Sequence, residues 1–298
     1  MAKKTILEAV QAGRVLVSDG AWGTFLQKKG MKPGECPELW CVTHRADVLD
    51  IARSYVEAGA DMIQSDSFGG TRCKLQHFGL EDRTAELNRA AAAVSREAAG
   101  GDRWVIASVG PTGLMTVMGD VTEDDLYRDF KEQAMALAEG GGDALCIETM
   151  SAVDEAAAAV RASRDHTSCE VICTFTFERT LKGEYRTMMG VSPTEAALAA
   201  IEAGAHVIGA NCGNGMERMV EIVREMRAAA PATPILVHAN AGLPKSVDGV
   251  DIFPETPADM AARVPALVAA GANIIGGCCG TTPAHIAAIK RAVLGLKA

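Results

Sequence analysis

The sequence predicts a parallel (β/α)8 barrel, a single domain over 1–298, on three observations. The chain has 298 residues and 48% hydrophobic content, enough to bury one large core at a length usual for α/β barrels. Short apolar segments alternate with stretches of helical periodicity. One phrase also recurs four times: a helix end, a glycine turn, a polar residue and an apolar strand. Its copies are Glu57-Ala58-Gly59-Ala60-Asp61, Glu139-Gly140-Gly141-Gly142-Asp143, Glu202-Ala203-Gly204-Ala205-His206 and Ala269-Ala270-Gly271-Ala272-Asn273. Each reads as a helix C-terminal cap followed by a strand.

The elements follow in order. Val15 to Asp19 is the first strand, and a helix with Val48, Ile51, Ala52 and Tyr55 on one face leads to the second, which ends at Asp66-Ser67. Trp104 to Val109 is the third strand. Leu126, Phe130, Ala134 and Leu137 share a helix face before the fourth, which ends at Glu148-Thr149. Val171 to Phe177 is the fifth. Ser192-Pro193-Thr194-Glu195 then starts a helix with a capping hydroxyl, a first-turn proline and an acid at the third position. The sixth strand ends at Asn211-Cys212, the seventh is Ile235 to Ala239, Thr256-Pro257-Ala258-Asp259 starts another helix, and the eighth ends at Cys278-Cys279. In each repeat copy the polar pair falls seven and eight residues after the third-position glycine, at 59, 141, 204 or 271. A closed barrel gathers such strand ends at one mouth, whereas an open doubly wound sheet spreads them along a line.

Composition excludes several classes. A formal net charge of -9 with scattered basic residues lacks the electrostatic footprint of nucleic-acid binding. The start, Met-Ala-Lys-Lys-Thr, and the absence of a long apolar run predict no membrane span and a cytoplasmic protein. The nine cysteines do not fall at the spacings of a secreted disulfide scaffold, so a reducing compartment is expected. Cys146, Cys169 and Cys173 read as packing residues in or beside strands; Cys36, Cys41 and Cys73 lie in loops or at helix edges and read the same way.

Cys212, Cys278 and Cys279 read differently. All three end strands on one rim, glycines at 276, 277 and 280 allow a sharp turn, and three sulfurs can hold zinc with a fourth tetrahedral position open. A closed structural site would need another ligand. His206 lies at the far end of its strand, while His238 remains a candidate. A vicinal pair also suits a buried or redox-sensing role, which would make this a non-enzymatic barrel. Asp19, followed by glycines at 20 and 23, and Glu148, after an apolar run, are acids at strand ends that suit an amino group, a turn or a salt bridge.

These phrases resemble the homocysteine S-methyltransferase family. The matching segments run in order: Asp19-Gly20-Ala21-Trp22-Gly23-Thr24, Ser65-Asp66-Ser67-Phe68-Gly69, Ser108-Val109-Gly110-Pro111-Thr112-Gly113, Ile147-Glu148-Thr149, Gly209-Ala210-Asn211-Cys212, Asn240-Ala241-Gly242-Leu243-Pro244 and Gly276-Gly277-Cys278-Cys279-Gly280-Thr281-Thr282-Pro283. Gly280 and the Asn240-to-Pro244 loop look most like the homocysteine-binding barrel of cobalamin-dependent methionine synthase; enzymes that use S-methylmethionine usually carry arginine at the position of Gly280.

The resemblance implies zinc (Zn2+) on Cys212, Cys278 and Cys279, and homocysteine as the substrate whose sulfur takes the open position. It implies an amino-acid clamp in which Glu148 and Asp19 meet the amine, the amides of Gly20, Ala21 and Gly23 meet the carboxylate, and Asp66 and Asn211 complete the substrate site. Trp22 and Asp66 depart from the family, which usually has methionine and asparagine there. The chain has room for the barrel and no Asp-x-His-x-x-Gly corrinoid signature. Methylcobalamin carried by a separate corrinoid protein, docking at the mouth, is therefore the expected methyl donor; S-methylmethionine or a betaine is the alternative.

Overall fold

A computed structural model describes residues 3–247 and 250–296. Its eight parallel strands are β1 (Leu16–Val17), β2 (Met62–Gln64), β3 (Trp104–Val109), β4 (Ala144–Met150), β5 (Glu170–Phe175), β6 (Val207–Gly215), β7 (Ile235–Asn240) and β8 (Ile274–Gly277). Their order is β1-β8-β7-β6-β5-β4-β3-β2, and a bridge between Ser18 and Met62 joins the two ends. The predicted barrel is present. β1 is shorter than Val15 to Asp19 because a side chain replaces part of its ladder: the Asp61 carboxylate accepts the Val17 amide at 2.8 Å.

That substitution explains the fourfold repeat. Gly59, Gly141, Gly204 and Gly271 have φ values of +92°, +102°, +105° and +112°, a left-handed turn that side chains rarely adopt. Each turn delivers the following polar residue to the preceding strand as a two-way clip. The amides of Asp61, Asp143, His206 and Asn273 donate to the carbonyls of Val17, Val105, Val171 and Ile235 at 2.7–2.9 Å. Their side chains in turn accept the amides of those same four residues at 2.8, 2.7, 2.8 and 3.0 Å. Lys290, Arg96 and Arg227 neutralise or bond Asp61, Asp143 and Asn273 from outside. The repeat is therefore the stitching of the barrel floor. Asp143→Ala should destabilise the chain by about 2 kcal/mol, since it orphans the Val105 amide and leaves Arg96 without its carboxylate; urea unfolding measures this, and an unchanged midpoint would contradict it.

The floor is sealed by a helix, Ile6–Gln11, with a Thr5/Glu8 capping box. Ile6 and Ala9 enter the barrel interior beside Leu16, Met62, Ile106, Cys146, Ile172 and Leu236, and the Glu170 carboxylate accepts the Ile6 and Leu7 amides at 2.7 and 2.9 Å. Burying each large aliphatic side chain contributes about 1.5–3 kcal/mol. Apolar side chains thus fill the bottom, leaving polar chemistry to the top. The expected helix faces are buried, and Ser192 and Thr256 form the expected capping boxes. Cys169 and Cys173 pack in the outer shell. No helix among the described residues is long and apolar enough to cross a membrane.

Candidate metal and amino-acid site

Strand alternation alone would point Cys212 away from the barrel. On β6, Val207 faces the interior while Ile208 and Ala210 face the helices, so a regular strand turns residue 211 inward and 212 outward. Two irregularities reverse this. Cys212 has φ +59°, and the β6–β7 register shifts between Asn211 and Gly215; such a bulge re-aims a side chain. The vicinal pair is held separately: the Cys278 amide donates to the Ala239 carbonyl at 2.7 Å, the Ala241 amide to Cys279 at 3.0 Å, and the Thr281 hydroxyl to Cys278 at 2.7 Å. Gly280 follows at φ +79°, with the Phe253 ring where a side chain would sit.

The three sulfurs lie within 4.8 Å of one another, with Cys212–Cys279 at 3.9 Å and Cys278–Cys279 at 4.0 Å. A tetrahedral zinc with bonds of about 2.3 Å needs sulfur–sulfur edges of about 3.8 Å. The donor set fits such an ion. All three cysteines are free, and a disulfide would need about 2.05 Å. The Cys212 thiol is pushed down to about 3, chiefly by the S–H groups of Cys278 and Cys279, with help from the Gly213 amide and Asn240. Cys279 is pushed up to about 12. Two neighbouring S–H donors thus favour the anionic form of Cys212. His238 does not complete it: its ring is outside the converging ligand group, and its Nε2 is buried without a partner. Three sulfurs would leave a tetrahedral ion a fourth position for another donor.

Two acids share this end of the barrel. Asp19 is fully buried; its Oδ2 accepts the Trp22 indole at 2.9 Å and the Gln64 amide at 2.7 Å, and its Oδ1 accepts Ser18 at 3.2 Å. Glu148 takes both its donors, the Gln64 side chain at 2.9 Å and the Ser108 hydroxyl, on Oε1. Burial pushes each carboxyl up to about 7, and their hydrogen bonds only partly offset it; Glu148 further raises Asp19, and Cys212 raises Glu148. A ligand cation would stabilise both charges. An ammonium group suits them.

Gln64 was not expected from sequence, yet it ties the two acids together through its amide and its side chain. Its signal was a lone polar residue two places after inward-facing Met62. Trp22 braces Asp19, a bond methionine could not make. In the loop Gly20 to Gly23, the Ala21 amide is already given to Thr281 at 3.0 Å, and Gly23 opens a six-residue helix. Asp66 lies against the Cys41 thiol, at 3.4 Å from its carbonyl and 3.8 Å from its carboxylate. Burial and the Glu38 charge push it well above the ordinary range. Asn211, expected among the substrate residues, has its side chain committed to Thr149 and Thr174.

A family model for homocysteine S-methyltransferase matches residues 16–293. The methionine synthase of Mycobacterium tuberculosis is 35% identical over 98% of this chain and 26% of that protein. For that of Mycobacterium leprae the values are 34%, 95% and 24%. The chain spans about a quarter of the length of these relatives. Among solved structures, the homocysteine methyltransferase MmuM from Escherichia coli, in its metallated form, superposes with a TM-score of 0.77 at 24% identity, covering 96% of this chain and 99% of that one. This is a likeness of fold.

Proposed function

The chain belongs to the homocysteine S-methyltransferase family, and from that premise we propose that it methylates homocysteine to methionine with zinc held by Cys212, Cys278 and Cys279. The observation that carries this reading is the convergence of three sulfurs, which would leave a bound zinc a fourth tetrahedral position, beside two buried acids. When bound, zinc would supply the positive charge that lets a thiol lose its proton near neutral pH. The substrate ammonium lies against Glu148 Oε2 and Asp19 Oδ1, while Gln64, Ser108 and Trp22 fix the carboxylates. The backbone amides of Gly20 and Gly23 approach the substrate carboxylate, whereas the Ala21 amide, expected to share that role, is held by Thr281. The homocysteine sulfur then attacks the donor methyl carbon in line. Its S–C bond forms as the bond to the donor breaks, the donor keeps that electron pair, and the thiol proton passes to solvent.

The donor is a methylcorrinoid carried by a corrinoid-binding protein module that docks at the barrel mouth. Two features support it. The relatives in the comparison are methionine synthases, and the rim loops expose Val117 at 74%, Met118 at 71% and Met188 at 73%, an apolar surface that suits a protein partner. Nine free cysteines agree with residence in the reducing cytoplasm.

The test is a donor screen with zinc-loaded protein and isotopically labelled homocysteine. Methionine is expected from a methylated corrinoid protein, with slower formation from free methylcobalamin. Formation from S-methylmethionine, betaine or S-adenosylmethionine, with none from either corrinoid, would replace the donor; methylation of other thiols in preference to homocysteine would replace the acceptor.

A further inference from the structure

Two non-glycine residues among those described have left-handed backbones, Thr149 at φ +62° and Cys212 at φ +59°. Each directly follows an inward polar residue, Glu148 or Asn211. Each also sits where a strand loses register, between Ile147 and Met150 on the β4–β5 seam and between Asn211 and Gly215 on the β6–β7 seam. A β-branched residue such as threonine is rare in this conformation, and the strain persists only when its surroundings hold it.

One side chain does the holding. Asn211 Oδ1 accepts the Thr149 amide at 2.8 Å and the Thr174 hydroxyl at 2.7 Å, while its Nδ2 donates to Thr149 Oγ1 at 2.7 Å. The Thr176 hydroxyl donates to the Asn211 carbonyl at 2.9 Å, and the Thr176 amide to the Met150 carbonyl at 3.0 Å. The amide of Asn211 thus reaches from β6 across β5 to the bulge on β4. A wrong residue here would release both bulges together.

We propose that Asn211 is a positioning residue: it locks the Thr149 and Cys212 bulges to each other, so that the amine-binding Glu148 and the metal ligand Cys212 keep a fixed separation. This rests on the proposed zinc-dependent methyl transfer to homocysteine. A substrate carrying its amine and its thiol at the two ends of a short chain needs that separation held. The role is distinct from substrate contact: Asn211 Oδ1 takes two donors and Nδ2 gives a hydrogen to Thr149, all within the protein.

The test uses the whole chain, loaded with zinc, and four forms: wild type, Asn211→Ala, Thr149→Gly and the double variant. Zinc affinity is read by chelator competition and homocysteine binding by calorimetry, neither of which needs turnover. Asn211→Ala should weaken both by about 10-fold or more, the scale seen for residues that orient metal ligands. In turnover it should raise KM more than it lowers kcat. Thr149→Gly should stay within about threefold of wild type, because glycine adopts φ +62° without strain. In the double variant the loss of homocysteine affinity should be smaller than in Asn211→Ala, since an unstrained bulge no longer depends on the clip.

Wild-type affinities in Asn211→Ala, or strictly additive losses in the double variant, would overturn the positioning role while leaving the function intact. A wild-type chain that binds neither zinc nor homocysteine would overturn both. If Asn211→Ala fails to fold, Thr149→Val decides: it keeps the branched strain and removes the acceptor for Nδ2. It must weaken zinc and homocysteine binding where Thr149→Gly does not, and equal behaviour of the two overturns the proposal.

Discussion

Cys279→Ser should lower bound zinc from about one ion per chain to under about a tenth, and cut methyl transfer by about 1,000-fold or more. The reasoning starts from the number of sulfurs. A site with three protein ligands has none to spare, and a serine hydroxyl neither ionises at neutral pH nor matches a soft thiolate. Cys279 also closes the triangle of sulfurs, at 3.9 Å from Cys212 and 4.0 Å from Cys278. Cys146→Ser is the control: this buried thiol lies in the apolar interior cluster, so the variant should lose some stability and keep its zinc. Metal content per chain and X-ray absorption measure the outcome, with three sulfur neighbours expected at about 2.3 Å in the wild type. Full zinc occupancy in Cys279→Ser would show that the ion is held elsewhere. A wild type without zinc that forms a reversible Cys278–Cys279 disulfide would favour the redox-sensing barrel.

Sequence showed some of this and hid the rest, for physical reasons. The cysteines and Glu148 were legible because they end strands, and counting from a capping glycine locates a strand end without knowledge of side-chain direction. The same count named Asp66 and Asn211, but distant contacts decide where those side chains go. Asp66 meets Cys41 on the helix Pro37–Thr43, and no local pattern links that helix to the end of β2. Asn211 depends on two bulges whose left-handed residues are threonine and cysteine, neither of which announces such a conformation. Asp61, Asp143, His206 and Asn273 were visible as repeated turn residues. Their clip to the preceding strand required the barrel to close first. Gln64 lies in a three-residue strand and belongs to no motif, so only the inward direction of Met62 could have marked it.

Glu148→Gln should raise the KM for homocysteine about 10- to 100-fold while leaving zinc content near wild type, because it removes one charge opposite the ammonium and little else. The substitution fits the site closely. Gln64 and Ser108 both donate to Oε1, so a glutamine can keep that oxygen in place and put its NH2 group where Oε2 faced the ligand. The pH dependence gives a second readout. In the ligand-free protein burial holds the Glu148 carboxyl up from 4.5 to about 7, so the fold favours its protonated form. Stability from this group is therefore present at low pH and is lost as pH rises from about 4.5 to about 7. Homocysteine binding runs the other way, since the ammonium is held by the ionised acid: wild-type affinity should rise with pH across pH 6 to 8. Glu148→Gln should flatten both trends, and at pH 8 the ligand-free variant should melt higher than wild type while binding substrate more weakly. Asp19, held up to about 7 for the same reason, leaves a residual slope in each. Weaker binding with no change in either pH trend would show that Glu148 shapes the pocket without carrying the charge that meets the amine.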